Sequence, residues 1–150
     1  MGDRAVAGFR EKSGDPTIFL YQHWVRGAQE QVLADALSRA QVRWSDYSYA
    51  TRICLSQMIG EDWNQELSYG VYVGGTSHGA DYDHILIVEW ESREVIVADN
   101  ANSDIEVARI SFDEFISDPI LSVANCTLEF RQQKAEEWER KLADIRASRV

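Results

Sequence analysis

Three residues have the types that make an activated thiol: Cys54, His84 and Asp99. A thiol nucleophile needs a histidine to take its proton and a third group to orient that histidine. His84 opens one predicted strand and Asp99 ends the next, an order compatible with the role. Cys54 is the difficulty. Activated cysteines sit at helix starts, where the dipole lowers the thiol pKa, whereas Cys54 falls inside a predicted helix between Ile53 and Leu55. A buried, inert cysteine is the better expectation.

The stretch "YQHWVRG", Tyr21 to Gly27, offers a different chemistry. Trp24 could stack on a flat ligand while His23 or Arg26 meets an anionic group; stacking on a base contributes about 1–3 kcal/mol, and the arginine fork suits phosphate. The alternative is that Tyr21 and Trp24 are packing residues. A third stretch, "GGTSHGADYDH" from Gly74 to His84, reads as a loop. It lacks the GK[ST] of a phosphate loop. The carboxylates Asp81, Asp83, Asp99 and Asp104 have no EF-hand spacing, and there is no HExxH, so no metal site or cofactor is expected.

The elements that would position these residues follow from periodicity. Arg4 to Arg10 and Thr17 to Trp24 read as strands joined by the turn signal Ser13-Gly14-Asp15-Pro16. Ile18, Leu20 and Gln22 alternate with Phe19, Tyr21 and His23, so both faces of the second strand carry apolar residues and both should be covered. Val32, Leu33, Ala36, Leu37 and Ala40 share one helical face. Ser45 or Asp46 should cap a second helix ending at Gly60, with Tyr49, Ala50, Ile53 and Cys54 among its apolar positions. Strands are expected at Leu67 to Val73, His84 to Trp90 and Glu94 to Ala98, the last two forming a hairpin. Ser111 and Glu114 form a capping box before a short helix that Pro119 should end. "NCTLEF" reads as a sixth, edge strand, and a helix runs from Gln132 with Trp138, Leu142 and Ile145 along a narrow stripe. The predicted class is α+β: a mostly antiparallel sheet of five to six strands, two central helices packed on one face and a C-terminal helix. The whole chain is read as a single domain, with 132–150 available for oligomer contacts.

Composition narrows the function classes. A 150-residue domain buries roughly 70% of its unfolded surface, so it needs no disulfide or metal to fold. Cys54 and Cys126 form no CxxC pair, and no signal peptide or membrane span is expected, so an intracellular location follows. The net charge of −10 argues against binding to nucleic acid or anionic membrane. It leaves open an acidic inhibitor of a host protein.

The succession "RAVAGF", "TIFLYQHW" and "SYATRICLSQMIG" resembles a group of small phage-encoded proteins that includes the Thoeris anti-defence sponges. Those proteins have an "RAVITF"-like strand, an "IYLHWNGG"-like strand end, an amphipathic helix and a "SYxxAR"-like helix start. They bind a cyclic ADP-ribose immune signal without cleaving it and assemble as dimers or larger oligomers. The resemblance spans roughly Arg4 to Asp99. It implies Trp24 as a stacking residue, Arg52 as a phosphate or ribose contact and Tyr82-Asp83-His84 as a segment lining the site. "WVRG" stands where "WNGG" is expected, the Gly74–Asp81 loop is longer, and the C-terminal helix is additional. The predicted ligand set is therefore His23, Trp24, Arg26, Tyr49, Arg52, Tyr82, Asp83 and His84. The expected function is sequestration of a nucleotide signal, without catalysis, in the cytoplasm of an infected bacterium. The alternative is a papain-like cysteine hydrolase using Cys54, His84 and Asp99.

Overall fold

In a computed structural model, residues 4–23, 25, 27–74 and 84–148 are described. Strand β1 (Ala5–Arg10) turns back into β2 (Thr17–Gln22), and helices α1 (Gln29–Arg39) and α2 (Tyr47–Ile59) follow. Strands β3 (Tyr69–Gly74), β4 (His84–Glu89), β5 (Glu94–Asp99) and β6 (Glu106–Ser111) come next, then α3 (Phe112–Ser117) and α4 (Pro119–Ala147). The six strands make one sheet in the order β3-β2-β1-β4-β5-β6. Neighbours are antiparallel except at the centre, where β1 runs parallel to β4 with Ala7 opposite Leu86.

The helices cover one face of this sheet. Leu33, Ala36 and Leu37 of α1 and Ala50, Cys54 and Met58 of α2 join Phe9, Leu20, Leu86, Val88, Val95 and Val97 in the main core. The predicted apolar stripe of α1 is the buried one. Trp90 and Trp44 bring polar indole N–H groups into this core, and both are satisfied: Trp90 Nε1 donates to Thr51 Oγ1 at 2.9 Å and Trp44 Nε1 to the Leu37 carbonyl at 3.0 Å. The opposite face carries Val6, Phe19, Ile85, Ile87, Ile96 and Ala98, with Tyr21 and Tyr72 packed beside them. Strand β2 thus buries apolar side chains on both faces, as its alternation indicated.

Several boundaries differ from expectation for identifiable reasons. "NCTLEF" is helix, because Val123, Cys126, Thr127 and Phe130 fall at i, i+3, i+4 and i+7 and turn one face toward the body. Pro119 starts this helix instead of merely ending the previous one. Asp118 caps it by accepting from the Leu121 N–H at 3.3 Å, and proline suits the first helical turn. The C-terminal helix therefore begins 13 residues before Gln132. The sixth strand is Glu106–Ser111, at the edge. The capping box at α3 forms, with Ser111 Oγ accepting from the Glu114 N–H at 3.2 Å. At α2 the boundaries agree, but the N-cap Asp46 makes no side-chain bond to the helix amides. Instead it accepts from the Ser48 hydroxyl at 3.1 Å.

Candidate functional site

The parallel pairing at the sheet centre decides which residues meet. With Ala7 opposite Leu86, His84 falls level with Ala5, and Ala5 pairs with Gln22 at the end of β2. Across the other side of β4, His84 is opposite Asp99. The end of β2, the start of β4 and the end of β5 therefore lie at one end of the sheet. The chain leaving β2 enters α1 there, and Glu30 in its first turn places Oε1 3.5 Å from His84 Nε2. From the far side, Thr127, Phe130 and Arg131 of α4 complete with His84, Asp99 and Val107 a cavity of about 130 Å³.

The polar groups around this cavity are unevenly engaged. Buried His84 Nε2 has no hydrogen-bond partner among the described residues, the Glu30 contact being long and poorly aimed. Asp99 Oδ1 accepts from the N–H groups of Ala101 at 2.7 Å and Asn102 at 3.1 Å, so it ties down the turn after β5. His23 lies just past β2, where its N–H donates to the Ser68 carbonyl at 2.9 Å and its ring stands 6.4 Å from that of Tyr21. Trp24, Arg26, Tyr82 and Asp83 lie outside the described residues.

Two predicted ligand residues are elsewhere. Thr51 of α2 touches Trp90, six residues beyond His84 along β4. At 3.3 Å per residue that is roughly 20 Å away. Tyr49 and Arg52, flanking Thr51, belong to that other end. Tyr49 is exposed, with the Arg43 guanidinium 4.7 Å above its ring. Arg52 donates to Ser56 Oγ at 3.4 Å and lines an open groove with Arg39 and Val42. The sequence set His23, Tyr49, Arg52 and His84 is thus split, with the two histidines at one end and the α2 pair at the other.

The thiol triad is not assembled either. Cys54 is fully buried in the main core, and burial pushes its thiol up to about 12, the opposite of activation. His84 and Asp99 share the strand-end cavity, whose lining does not include Cys54. Among the described residues, no group of three His, Cys, Asp or Glu side chains is placed to hold a metal ion, and no helix is long and apolar enough to cross a membrane.

Sequence reasoning missed Glu30, Thr127, Phe130 and Arg131 as neighbours of His84. No local signal marks them, because only the β1–β4 pairing and the path of α4 bring them there. It also missed a polar cluster on the opposite face of the sheet. Glu89 there accepts from Arg10 Nε at 2.9 Å, Arg109 Nη1 at 2.8 Å, Ser13 Oγ at 2.9 Å and Ser92 Oγ at 2.8 Å. Its one sequence signal was a carboxylate ending the β-branched run "HILIVE".

Comparison of the chain with protein-family models, with curated proteins and with solved structures gives no match.

Proposed function

We propose that the protein binds a small nucleotide ligand of the cyclic ADP-ribose class at the His84 end of the sheet and holds it without cleaving it. In this reading it is a phage anti-defence protein, assembled as a homo-oligomer in the cytoplasm of the infected bacterium. The observation that carries the reading is the convergence of two distant segments. The strand end that precedes Trp24 and the strand start at His84 are far apart in sequence, yet both come to one end of the sheet. The first belongs to a stretch that carries the resemblance to the sponge proteins, and the second is a segment that the resemblance implies lines the site.

The chemistry of that end suits a fragment of such a ligand. Complete small-molecule sites run to about 300–1,000 Å³, so a cavity of about 130 Å³ takes one ribose or phosphate group. Arg131 brings a guanidinium and His84 its ring to the lining, the ring's Nε2 lying buried 3.5 Å from Glu30 Oε1. The resemblance implies Trp24 as the residue that stacks on the ligand. The location of Arg52 assigns it no part in this version of the site. The alternative of a cysteine hydrolase draws no support from a thiol sealed in the core.

Calorimetry and thermal melting with cyclic ADP-ribose isomers and cyclic dinucleotides test the proposal. The expected outcome is a raised melting temperature and recovery of the ligand chemically unchanged. Trp24→Ala should weaken binding about 10- to 100-fold, the equivalent of one lost stacking contact. A ligand returned hydrolysed, or no shift with any nucleotide, overturns it.

A further inference from the structure

Helix α4 has two apolar faces, and its own domain uses only one. Pro119, Ser122 and Val123 are buried, Cys126, Thr127 and Phe130 are half-buried, and the helix packs here against α1, α3 and β6. Beyond Phe130 every residue to Ala147 is exposed except the half-buried Glu137 and Leu142. At 1.5 Å per residue, this free portion is an arm about 25 Å long.

The second face has a strict seven-residue repeat. Leu121, Leu128, Ala135 and Leu142 occupy one position of it, and Ala124, Arg131, Trp138 and Ile145 the other. Alternating steps of three and four residues are the a/d pattern of a coiled-coil seam, which a single helix cannot bury on itself. Four of its large side chains are exposed: Leu121 by 53%, Leu128 by 55%, Trp138 by 60% and Ile145 by 45%. Leu121 precedes buried Val123 by two positions, and Leu128 precedes Phe130 likewise. Two positions at about 100° each put Leu121 and Leu128 on the side of the helix away from the domain, while Arg131 stands at the edge of the seam, where it also borders the His84 cavity.

Charge argues what covers it. Residues 119–150 carry six Lys and Arg against five Asp and Glu, whereas residues 1–118 carry nine against twenty. The arm is close to neutral on a body of net charge −11. Two bodies repel one another, and the arm is where two copies approach without that repulsion. A second copy also brings the same heptad, so the surface is self-complementary as a two-fold contact requires.

We infer that α4 is a coiled-coil arm through which two copies of this chain associate, seam to seam. The inference gives an interface to the homo-oligomer of the proposed function and rests on that part of it alone, and its test reads association with no nucleotide present.

Sedimentation of the full chain tests it, across concentrations from low to high micromolar. The wild type should be dimeric at the upper end. The double variant Trp138→Glu/Leu142→Glu should raise the dissociation constant at least about 100-fold, since two apolar side chains are lost from each copy. Because both positions lie on the arm, its circular dichroism and melting of the body should stay as in the wild type. Arg140→Ala, on the same arm but off the seam, should dimerise normally. A monomeric wild type, a double variant that still dimerises, or an Arg140→Ala variant that also dissociates overturns the inference.

Discussion

Glu89 shows how much a single residue is asked to hold. It is 3% exposed, and burial alone would raise its pKa. The donors Arg109, Ser92, Ser13 and Arg10 outweigh that effect and bring the carboxyl from its ordinary 4.5 down to about 2. A carboxylate whose folded pKa is depressed contributes stability that is present above its unfolded value and lost as pH falls toward the folded one. The window here is pH 4.5 to 2, and the contribution is on the order of 3 kcal/mol. Glu89→Gln should therefore be destabilised at pH 7 yet lose less further stability than the wild type between pH 5 and pH 2. Urea unfolding across that range checks it, and parallel pH profiles for the two proteins would show that the cluster contributes nothing through ionisation. Cys54 is the contrasting residue: its position within a helix announced an inert thiol, and the core confirms the burial.

At the scale of elements, β1 sits at the centre of the sheet and tolerates no added bulk. A Cβ on Gly8 would lie 2.9 Å from Thr17 Cγ2, 3.1 Å from Phe19 Cε1 and 3.2 Å from Ile87 Cγ1, all on side chains held within the sheet. Gly8→Ala should destabilise by about 1–3 kcal/mol, the usual penalty of overpacking. A chemical denaturation midpoint equal to the wild type's would show that the neighbours give way freely. Most elements were legible in the sequence because their periodicity is strong: the α1 stripe, the β4–β5 hairpin and the α3 capping box all form where the pattern put them. "NCTLEF" misled because its threonine and phenylalanine look strand-like in a six-residue window. The helical repeat that overrides them shows only when the window reaches back to Val123, and Asp118-Pro119 reads equally as a stop or a start. The site was legible only in part. His84 and the strand end before Trp24 were singled out, and the fold brings their segments together. Arg52 and Tyr49 were grouped with them although no short pattern records that α2 turns those residues toward the opposite end of the sheet. Glu30 and Arg131 had no chance of discovery, since their nearness to His84 depends on a strand pairing that spans most of the chain.

The whole molecule is an acidic body with a nearly neutral arm. If two copies meet through that arm, ions that screen the bodies should help them. The dissociation constant should fall several-fold between about 50 mM and 500 mM salt, as the screening length shrinks well below 10 Å. Sedimentation at the two salt concentrations measures this. Weakening with salt would instead mean that opposite charges hold the copies together, for example an arm laid on an acidic body. If the proposed nucleotide binds at the strand-end cavity, its pyrophosphate approaches through the negative field of the body. Arg131 at the cavity wall is the local cation among the described residues there.

The parallel pair at the centre of the sheet also sets an order of assembly. The β1–β2 and β4–β5 hairpins each close over a few residues, so their contacts are local. The pairing between them joins residues as far apart as Arg10 and Glu89, 79 positions along the chain. A loop of that length must be closed, with its entropy lost, before any of those contacts form. The two hairpins and the α1–α2 pair are thus the early pieces, and the middle of the sheet is where they finally zip together. The strand-end cavity depends on that last seam, so it is complete only when the chain has folded completely.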